Sequence, residues 1–233
     1  MIKGIQKTSL IDYPGKLVST IFLGGCNFRC HYCHNPELVL PELVSNAADL
    51  TEEDFLEIME KHKKYVDGVC ITGGEPTLYP QLPALIRKIK NLGLLVKLDT
   101  NGTNPEMLKD LIDSRLIDFI AMDIKAPIEK YELVVNTTLR KDAIIESVEI
   151  IRQSNLPYEF RTTVVKEFIN KEDIIKIGEW LSGSKRYVLQ QFNFDAKVLN
   201  EEYKKSCPYT PEELESMSNS IKEFFDEVLI RGI

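Results

Sequence analysis

The sequence predicts an α/β fold in which six strand–helix units form a partial barrel of parallel β-strands. Short apolar runs rich in Val, Ile and Phe recur along the chain, and helix-like segments lie between most of them. Length is a further observation, because a complete eight-unit barrel usually needs about 250 residues and the chain has 233. An open doubly wound sheet is the alternative arrangement of these strands. The predicted strands are Ser19–Leu23, Gly68–Thr72, Leu94–Asp99, Ile117–Ile124, Tyr158–Val165 and Arg186–Phe192.

This pattern predicts a single domain over residues 1–233. Residues 1–16 precede the first predicted strand, and the turn signal Asp12-Tyr-Pro-Gly15 indicates a short β-hairpin at the bottom or edge of the barrel. Residues 17–200 carry the six units. Their strands show little polar alternation, which is typical of parallel strands covered on both faces and joined by right-handed crossovers.

Local signals predict where the helices begin. Thr51 and Asp54 read as a capping box before an apolar stripe. Asn104 followed by Pro105 is an N-cap with proline at the first helical position. Further helices are predicted over Pro80–Asn91 and Lys141–Ser154.

The last element is predicted to be a single C-terminal helix over residues 210–233. Thr210-Pro-Glu-Glu213 is a typical helix start. The residues predicted to form its buried stripe are Leu214, Met217, Ile221, Phe224 and Val228.

Composition excludes several classes of function. Apolar residues make up 43% of the chain and charged residues 28%, which is typical of a soluble globular protein. The net charge of −7 disfavours nucleic-acid binding, because a phosphate backbone attracts basic surfaces. No apolar run approaches the roughly 20 residues that span a bilayer, and the N-terminus lacks an apolar signal core. We therefore expect a cytoplasmic protein without a membrane partner.

The five cysteines argue against a disulfide framework, because their number is odd. Cys26, Cys30 and Cys33 follow the first strand and Gly24-Gly25 with the spacing C-x3-C-x2-C. Three thiolates on one loop can each hold one iron of a cubane cluster, and the fourth iron is then open to another ligand. Structural zinc is the alternative, with His31 or His34 as the fourth ligand.

A second motif, Thr72-Gly73-Gly74-Glu75-Pro76, stands where the second predicted strand ends. A glycine pair there exposes backbone groups to a ligand, and Glu75 can accept a hydrogen bond from an ammonium group. A tight turn before a helix is the plainer interpretation. In a barrel the carboxyl ends of the strands face one mouth, so this motif and the cysteine loop are expected to meet.

With these two motifs the chain resembles the radical S-adenosylmethionine (SAM) enzymes. The resemblance implies a six-unit partial barrel, a [4Fe–4S] cluster on Cys26, Cys30 and Cys33, and SAM bound to the cluster. It implies reductive cleavage of SAM to a 5′-deoxyadenosyl radical, with an electron from a low-potential donor such as flavodoxin or ferredoxin. Tyr32 matches the family's aromatic position near adenine, and the backbone of His34 is expected near SAM.

Further SAM-binding residues follow from a resemblance to the activases of glycyl radical enzymes. Gly73, Gly74, Glu75 and Pro76 match the segment that binds the methionine amino group. Asp123 and Lys125 match the Asp-x-Lys segment that meets the methionine portion, and Lys125 suits a carboxylate. A salt bridge between residues at the barrel mouth is the alternative interpretation of these charges. Cys33 and the strand-end residues Asp99, Asn101 and Arg161 complete the expected SAM site.

The stretches Lys7–Gly15 and Cys33–Glu37 resemble the activating proteins of anaerobic ribonucleoside-triphosphate reductases, in their longer form. This resemblance implies that the chain installs a glycyl radical on such a reductase. The chain departs from the formate-lyase activases at Lys166-Glu167 and Gln190-Gln191-Phe192. A formate-lyase-type activase, a small-molecule radical SAM enzyme such as a carboxydeazaguanine synthase, and a non-catalytic iron–sulfur or zinc module are the alternatives.

Overall fold

The fold was analysed in a computed structural model, which describes residues 2–46, 49–195, 197–202 and 207–232. Its strands are arranged in the order in which they occur along the chain, in one eight-stranded sheet. The strands are β1 (Ile2–Ser9), β2 (Val18–Leu23), β3 (Gly68–Gly73), β4 (Leu95–Thr100), β5 (Phe119–Asp123), β6 (Tyr158–Val164), β7 (Ser184–Gln191) and β8 (Phe225–Arg231).

Helices alternate with the strands from β3 onwards, as the sequence predicted. The helices are α1 (Pro36–Val39), α2 (Pro41–Asn46), α3 (Glu52–His62), α4 (Leu82–Asn91), α5 (Pro105–Asp113), α6 (Tyr131–Val135), α7 (Lys141–Gln153), α8 (Lys171–Trp180) and α9 (Pro211–Asn219). The α/β class with parallel strands is therefore confirmed. No helix in the described ranges combines the length and hydropathy needed to cross a membrane.

The contacts divide the chain into two compact units. The first unit comprises Met1–Asn27, Glu37–Ala121 and Asp142–Pro157, and the second comprises Phe28–Pro36, Met122–Lys141 and Tyr158–Ile233. The single domain predicted over residues 1–233 stays a prediction.

In the first unit, β1 pairs with β2 antiparallel, with Ile5 opposite Ile21. This confirms the predicted N-terminal hairpin, but its second strand is the first strand of the parallel set. Between the two strands, Tyr13 packs in the core against Phe119, with ring centroids 5.4 Å apart. β2, β3 and β4 then run parallel, so the carboxyl ends of these three strands lie side by side.

The helix caps of the first unit match the local signals in the sequence. The Thr51 side chain accepts a hydrogen bond from the N–H of Asp54 and caps α3. Asn104 caps α5 in the same way, with Pro105 at its first position. In α4 the buried residues recur at helical spacing, which covers one face of the sheet: Leu82, Leu85, Ile86 and Ile89.

In the second unit, β6, β7 and β8 are parallel neighbours. Two of its helices, α8 and α9, begin with complete capping boxes, one on Asn170 and Asp173 and one on Thr210 and Glu213. Arg231 of β8 and the buried Glu159 of β6 form a bidentate ion pair, in which Nη1 and Nη2 of the arginine each donate to a carboxylate oxygen at 2.8 Å.

The C-terminal element differs from the single helix predicted over residues 210–233. Helix α9 begins as predicted but ends at Asn219, and Phe225–Arg231 forms β8. The apolar residues at 224 and 228 continue the helical spacing by coincidence. The run Val228-Leu229-Ile230 suits a strand, and its backbone groups pair with β7, from Ser184 opposite Phe225 to Gln190 opposite Arg231.

Candidate active site

The cysteine loop begins in the first unit, directly after β2. Its approach to the neighbouring strand end is made by backbone groups: the N–H of Glu75 donates to the carbonyl of Gly25 at 2.8 Å, and the N–H of Gly74 donates to the carbonyl of Leu23 at 2.8 Å. A Cβ on Gly74 would lie 2.1 Å from the Gly25 oxygen. Glycine at position 74 is therefore required for the two turns to touch.

Pro76 and Glu75 complete this turn. Pro76 is buried at the start of a short 3-10 helix, Pro76–Leu78, and Glu75 is the N-cap of that helix. The Glu75 carboxylate is only 2% exposed. One oxygen accepts from the Thr77 N–H and hydroxyl and from the Thr100 hydroxyl, and the other accepts from the Asn101 N–H at 2.6 Å.

The Glu75 carboxylate accepts from four donors of the chain itself. The predicted contact between Glu75 and a ligand ammonium group stays a prediction. Burial raises the pKa of Glu75 above its ordinary value, although the hydrogen bonds from Thr77, Asn101 and Thr100 act in the opposite direction. The carboxylate therefore ties the end of β3 to the end of β4.

The side chain of Asn101 is likewise engaged with the cysteine loop. Its amide nitrogen donates to the side-chain oxygen of Asn27 at 2.9 Å, and its own oxygen accepts from the Thr103 hydroxyl at 2.7 Å. Asn27 also donates to Thr103 at 2.8 Å. This triangle holds the residue after Cys26, a role of Asn27 that the sequence analysis missed.

Asp99 lies at the end of β4 beside a buried lysine. The Lys97 side chain is 1% exposed and forms an ion pair with Asp99. Its ammonium group is also 3.7 Å from the sulfur of Cys70, which is fully buried. The sequence signal for this pair was a lysine within the apolar run of β4, and the analysis passed over it.

In the second unit, the remaining part of the cysteine loop packs on aromatic rings. Tyr32 is 4% exposed and lies against Phe168 and Phe192, with ring centroids 5.8 and 6.3 Å apart. The His34 ring stacks on Phe192 at 4.8 Å, and the His31 ring stacks on Phe168 at 6.0 Å.

Two polar atoms in this aromatic cluster have no hydrogen-bond partner among the described residues. They are the buried hydroxyl of Tyr32 and the Nε2 atom of His34. Burial raises the pKa of Tyr32, and burial lowers the pKa of His34, so both side chains are neutral. Since buried polar groups are normally paired, these atoms mark a position where a polar ligand would satisfy them.

Asp123, Lys125 and Arg161 form a charged cluster in the same unit. The Asp123 carboxylate accepts from the Lys125 ammonium at 3.0 Å and from the Arg161 Nε at 2.9 Å. Burial alone would raise the pKa of Asp123, but the charges of Arg161 and Lys125 outweigh it and hold that pKa below its ordinary value. Burial likewise opposes the charged form of Lys125, and Asp123 outweighs it and raises the pKa of the lysine. All three side chains are therefore ionised at neutral pH.

The backbone of the cysteine loop also accepts hydrogen bonds from a segment much later in the chain. The N–H of Leu199 donates to the Cys33 carbonyl at 3.0 Å, and the N–H of Asn200 donates to the His31 carbonyl at 2.9 Å. No pattern in the sequence indicated this contact, because residues 192–202 resemble an ordinary connecting loop.

The donor set suits an iron–sulfur cluster. Cys30 is buried, Cys26 and Cys33 are partly buried, and Cys207 is exposed. Within the described ranges, no three His, Cys, Asp or Glu side chains converge on the position of a single metal ion. A cubane takes one thiolate per iron, so its ligands do not need to converge on one point.

Comparison with known proteins identifies a family. A sequence profile of the radical SAM superfamily matches residues 20–181. This range contains the cysteine loop, the Gly73–Pro76 turn and the Asp123–Arg161 cluster.

Curated relatives extend the similarity over the whole chain. A protein of Methanocaldococcus jannaschii, named as a glycyl-radical enzyme activating enzyme, is 35% identical over 100% of this chain and 96% of its own length. A pyruvate formate-lyase-activating enzyme of Staphylococcus aureus is 28% identical over 78% of this chain and 77% of its own.

Solved structures share the fold at low sequence identity. SuiB of Streptococcus suis, bound to a precursor peptide, matches 91% of this chain with a TM-score of 0.70 and 15% identity. Coproporphyrinogen III oxidase of Escherichia coli matches 92% of this chain with a TM-score of 0.59 and 12% identity. The chain spans about half the length of these proteins, 48% and 53%, and the likeness concerns the fold alone.

Proposed function

Because the chain belongs to the radical SAM superfamily, we propose that it is the activating enzyme of a glycyl radical enzyme, and that this partner is an anaerobic ribonucleoside-triphosphate reductase. The observation that carries the activase proposal is the similarity that spans the whole of this chain and 96% of the Methanocaldococcus protein. The choice of the reductase depends on the resemblance of Lys7–Gly15 and Cys33–Glu37.

Superfamily members use a [4Fe–4S] cluster and SAM, and the residues of this chain fit both. Cys26, Cys30 and Cys33 would hold the cluster. When bound, the cluster and SAM supply one-electron cleavage of a carbon–sulfur bond and the hydrogen-abstracting radical that characterises the superfamily.

Lys125 and Tyr32 would bind and orient SAM. The Lys125 ammonium is a compact point charge suited to a carboxylate. The hydroxyl of Tyr32 and Nε2 of His34 have no hydrogen-bond partner in the described part of the chain, and they would offer a donor and an acceptor to the polar groups of the ligand. Asp123 holds Lys125, and Arg161 holds Asp123, so the charge of the lysine is fixed in place before the ligand arrives.

The first unit would contribute the turn of Gly73–Pro76 and the end of β4. Backbone groups of Gly73 and Gly74 other than the paired N–H of Gly74 would face the ligand, and Glu75 keeps that turn in shape through Thr100 and Asn101. Asp99 is the remaining acceptor in this part of the site, oriented by Lys97. These residues would meet the methionine part of SAM.

The test combines the chain, SAM, a low-potential reductant and the anaerobic reductase from the same cell. We expect an electron paramagnetic resonance doublet from a glycyl radical on the reductase, dependent on SAM and absent with Cys30→Ala. Truncation of the glycine-bearing C-terminal loop of the reductase should remove the signal. Release of 5′-deoxyadenosine without a radical on any glycyl radical enzyme would refute the activase proposal and favour a small-molecule substrate.

A formate-lyase-type enzyme is the second candidate partner. The similarity to the pyruvate formate-lyase-activating enzymes of Staphylococcus aureus and Clostridium pasteurianum favours it. The same assay with pyruvate formate-lyase in place of the reductase separates the two, since the proposal requires a radical on the reductase. Flavodoxin or ferredoxin as the electron donor and a cytoplasmic location are part of the proposal.

A further inference from the structure

Tyr131, the first residue of α6, contacts the backbone on both sides of Ile124. Its hydroxyl donates to the carbonyl of Asp123 at 3.3 Å and accepts from the N–H of Lys125 at 3.2 Å. Tyr131 is fully buried, and burial raises its pKa far above the ordinary value. The hydroxyl therefore stays protonated and serves as donor and acceptor at the same time.

The intervening residue is fixed by β6. The N–H of Ile124 donates to the carbonyl of Arg161 at 2.8 Å, and its carbonyl accepts from the Thr162 hydroxyl at 2.7 Å. Together with the two contacts of Tyr131, these bonds pair four consecutive backbone groups at the end of β5, from the carbonyl of Asp123 to the N–H of Lys125. Contacts from β6 and from Tyr131 therefore fix the path of the backbone from Asp123 to Lys125.

The same helix holds the cysteine loop. The Tyr131 ring lies edge-on to Phe28, with centroids 6.3 Å apart. At the other end of α6, the Val135 carbonyl accepts from the N–H of Arg29 at 2.9 Å. Phe28 and Arg29 directly precede Cys30. One short helix therefore contacts both the cysteine loop and the charged segment.

We propose that Tyr131 is a positioning residue that holds the Asp123–Lys125 segment in register with the cysteine loop and thereby strengthens SAM binding. The inference rests on the proposed function, in which Lys125 and Asp123 meet SAM. The hydroxyl acts through the segment and does not touch SAM. Its loss should weaken affinity without removing the cluster.

The test is Tyr131→Phe, which keeps the ring against Phe28 and removes the hydroxyl. We expect wild-type iron and sulfide content after anaerobic reconstitution, with a SAM dissociation constant about tenfold weaker, since two hydrogen bonds are lost. The KM for SAM should rise by a similar factor, while kcat changes less than about twofold, as expected for a binding defect.

Tyr158→Phe is the matched control. Tyr158 is also buried, and its hydroxyl accepts from a backbone N–H, that of Lys185, at 3.2 Å. It lies at the first residue of β6, away from the charged segment. The control loses one hydrogen bond in place of two, so it should lower the thermal stability of the chain and leave the dissociation constant of SAM unchanged. Equal weakening of SAM binding in both variants would overturn the proposal, because a general loss of stability would then explain the effect.

A double-mutant cycle with Lys125→Met tests whether the hydroxyl acts through the segment. We expect Lys125→Met alone to weaken SAM binding tenfold to a hundredfold, and Tyr131→Phe to add less than about threefold in that background. An undiminished tenfold effect there would overturn the positioning role and leave the proposed function standing. Unchanged SAM affinity in Lys125→Met would overturn the positioning role and the assignment of Lys125 to SAM, whereas the activase proposal fails only if no glycyl radical forms on the partner.

Discussion

Glu75 in the first unit and Asp123 in the second are both carboxylates predicted to bind SAM, and they are stabilised in opposite ways. Glu75 is surrounded by neutral donors, the hydroxyls of two threonines and two backbone N–H groups, and burial raises its pKa. Asp123 is partly exposed and is paired with two cations, which lower its pKa.

The difference assigns different tasks to the two regions. The first unit closes its turn with its own groups, so the shape of Gly73–Pro76 does not depend on a ligand. The second unit keeps net positive charge at Lys125 and Arg161 and leaves the Tyr32 hydroxyl unpaired among the described residues. We interpret the turn of the first unit as preformed by its own contacts, whereas the Tyr32 hydroxyl of the second unit would be satisfied by a ligand.

The largest expected effect concerns the loop that supplies residues to both units. Cys30→Ala should abolish the cluster, because the remaining two thiolates cannot hold three irons of a cubane. Iron and sulfide assays and the visible spectrum after anaerobic reconstitution measure this, with about four of each per chain expected for the wild type. Cys207→Ser, at an exposed cysteine, is the control and should keep its cluster. Loss of the cluster in the control would contradict a three-cysteine site.

Glu75→Gln tests the preformed turn of the first unit. The variant replaces one carboxylate oxygen by a donor, which then faces a hydroxyl or N–H group in a buried site. We expect a loss of about 3 kcal/mol in the free energy of unfolding, measured by urea denaturation without cluster or SAM. A variant with wild-type stability but weaker SAM binding would show that the carboxylate faces the ligand after all.

Asp123→Asn tests the ion pairs of the second unit through the pH dependence of the free energy of unfolding. The pKa of Asp123 is lower in the folded chain than its ordinary value of 3.8. The carboxylate therefore stabilises the fold at pH values above 3.8, and this stabilisation is lost as the pH falls through the lowered pKa. The variant should be less stable than the wild type by about 2 kcal/mol at pH 7. The difference should shrink as pH falls below 4, as followed by urea denaturation at each pH. A difference independent of pH would exclude the ion pairs as its cause.

Of these variants, Tyr32→Phe should have the smallest effect on the stability of the chain without cluster or SAM. It is also the sharpest test of the difference between the two units. The hydroxyl is buried without a partner among the described residues, so its removal should leave the thermal midpoint unchanged or raise it slightly. The dissociation constant of SAM, measured by calorimetry on the reconstituted protein, should nevertheless increase several-fold. If the affinity is unchanged, the hydroxyl does not meet SAM and the aromatic cluster is structural.

Local patterns in the sequence determined the elements and the cofactor class. Capping residues such as Thr51 and Asn104 act within a single helical turn, so their chemistry is visible without a fold. The spacing of Cys26, Cys30 and Cys33 and the glycine pair at 73–74 are equally local. The spacing of Phe224 and Val228 misled the analysis, because their side-chain periodicity fits a helix while pairing with β7 makes this segment a strand.

Only the tertiary structure decided which partners the charged and polar groups would find. Glu75 meets Asn101 across 26 positions of sequence, Arg161 meets Asp123 across 38, and the hydroxyl of Tyr131 satisfies backbone groups that follow β5. Such pairings carry no local signal, because a hydrogen bond depends on distance and direction in space and the strands that bring these residues together are far apart in the chain. The sequence by itself determined the cofactor class, a cluster and SAM, and the fold decided which neighbours Glu75, Asp123 and Lys125 have.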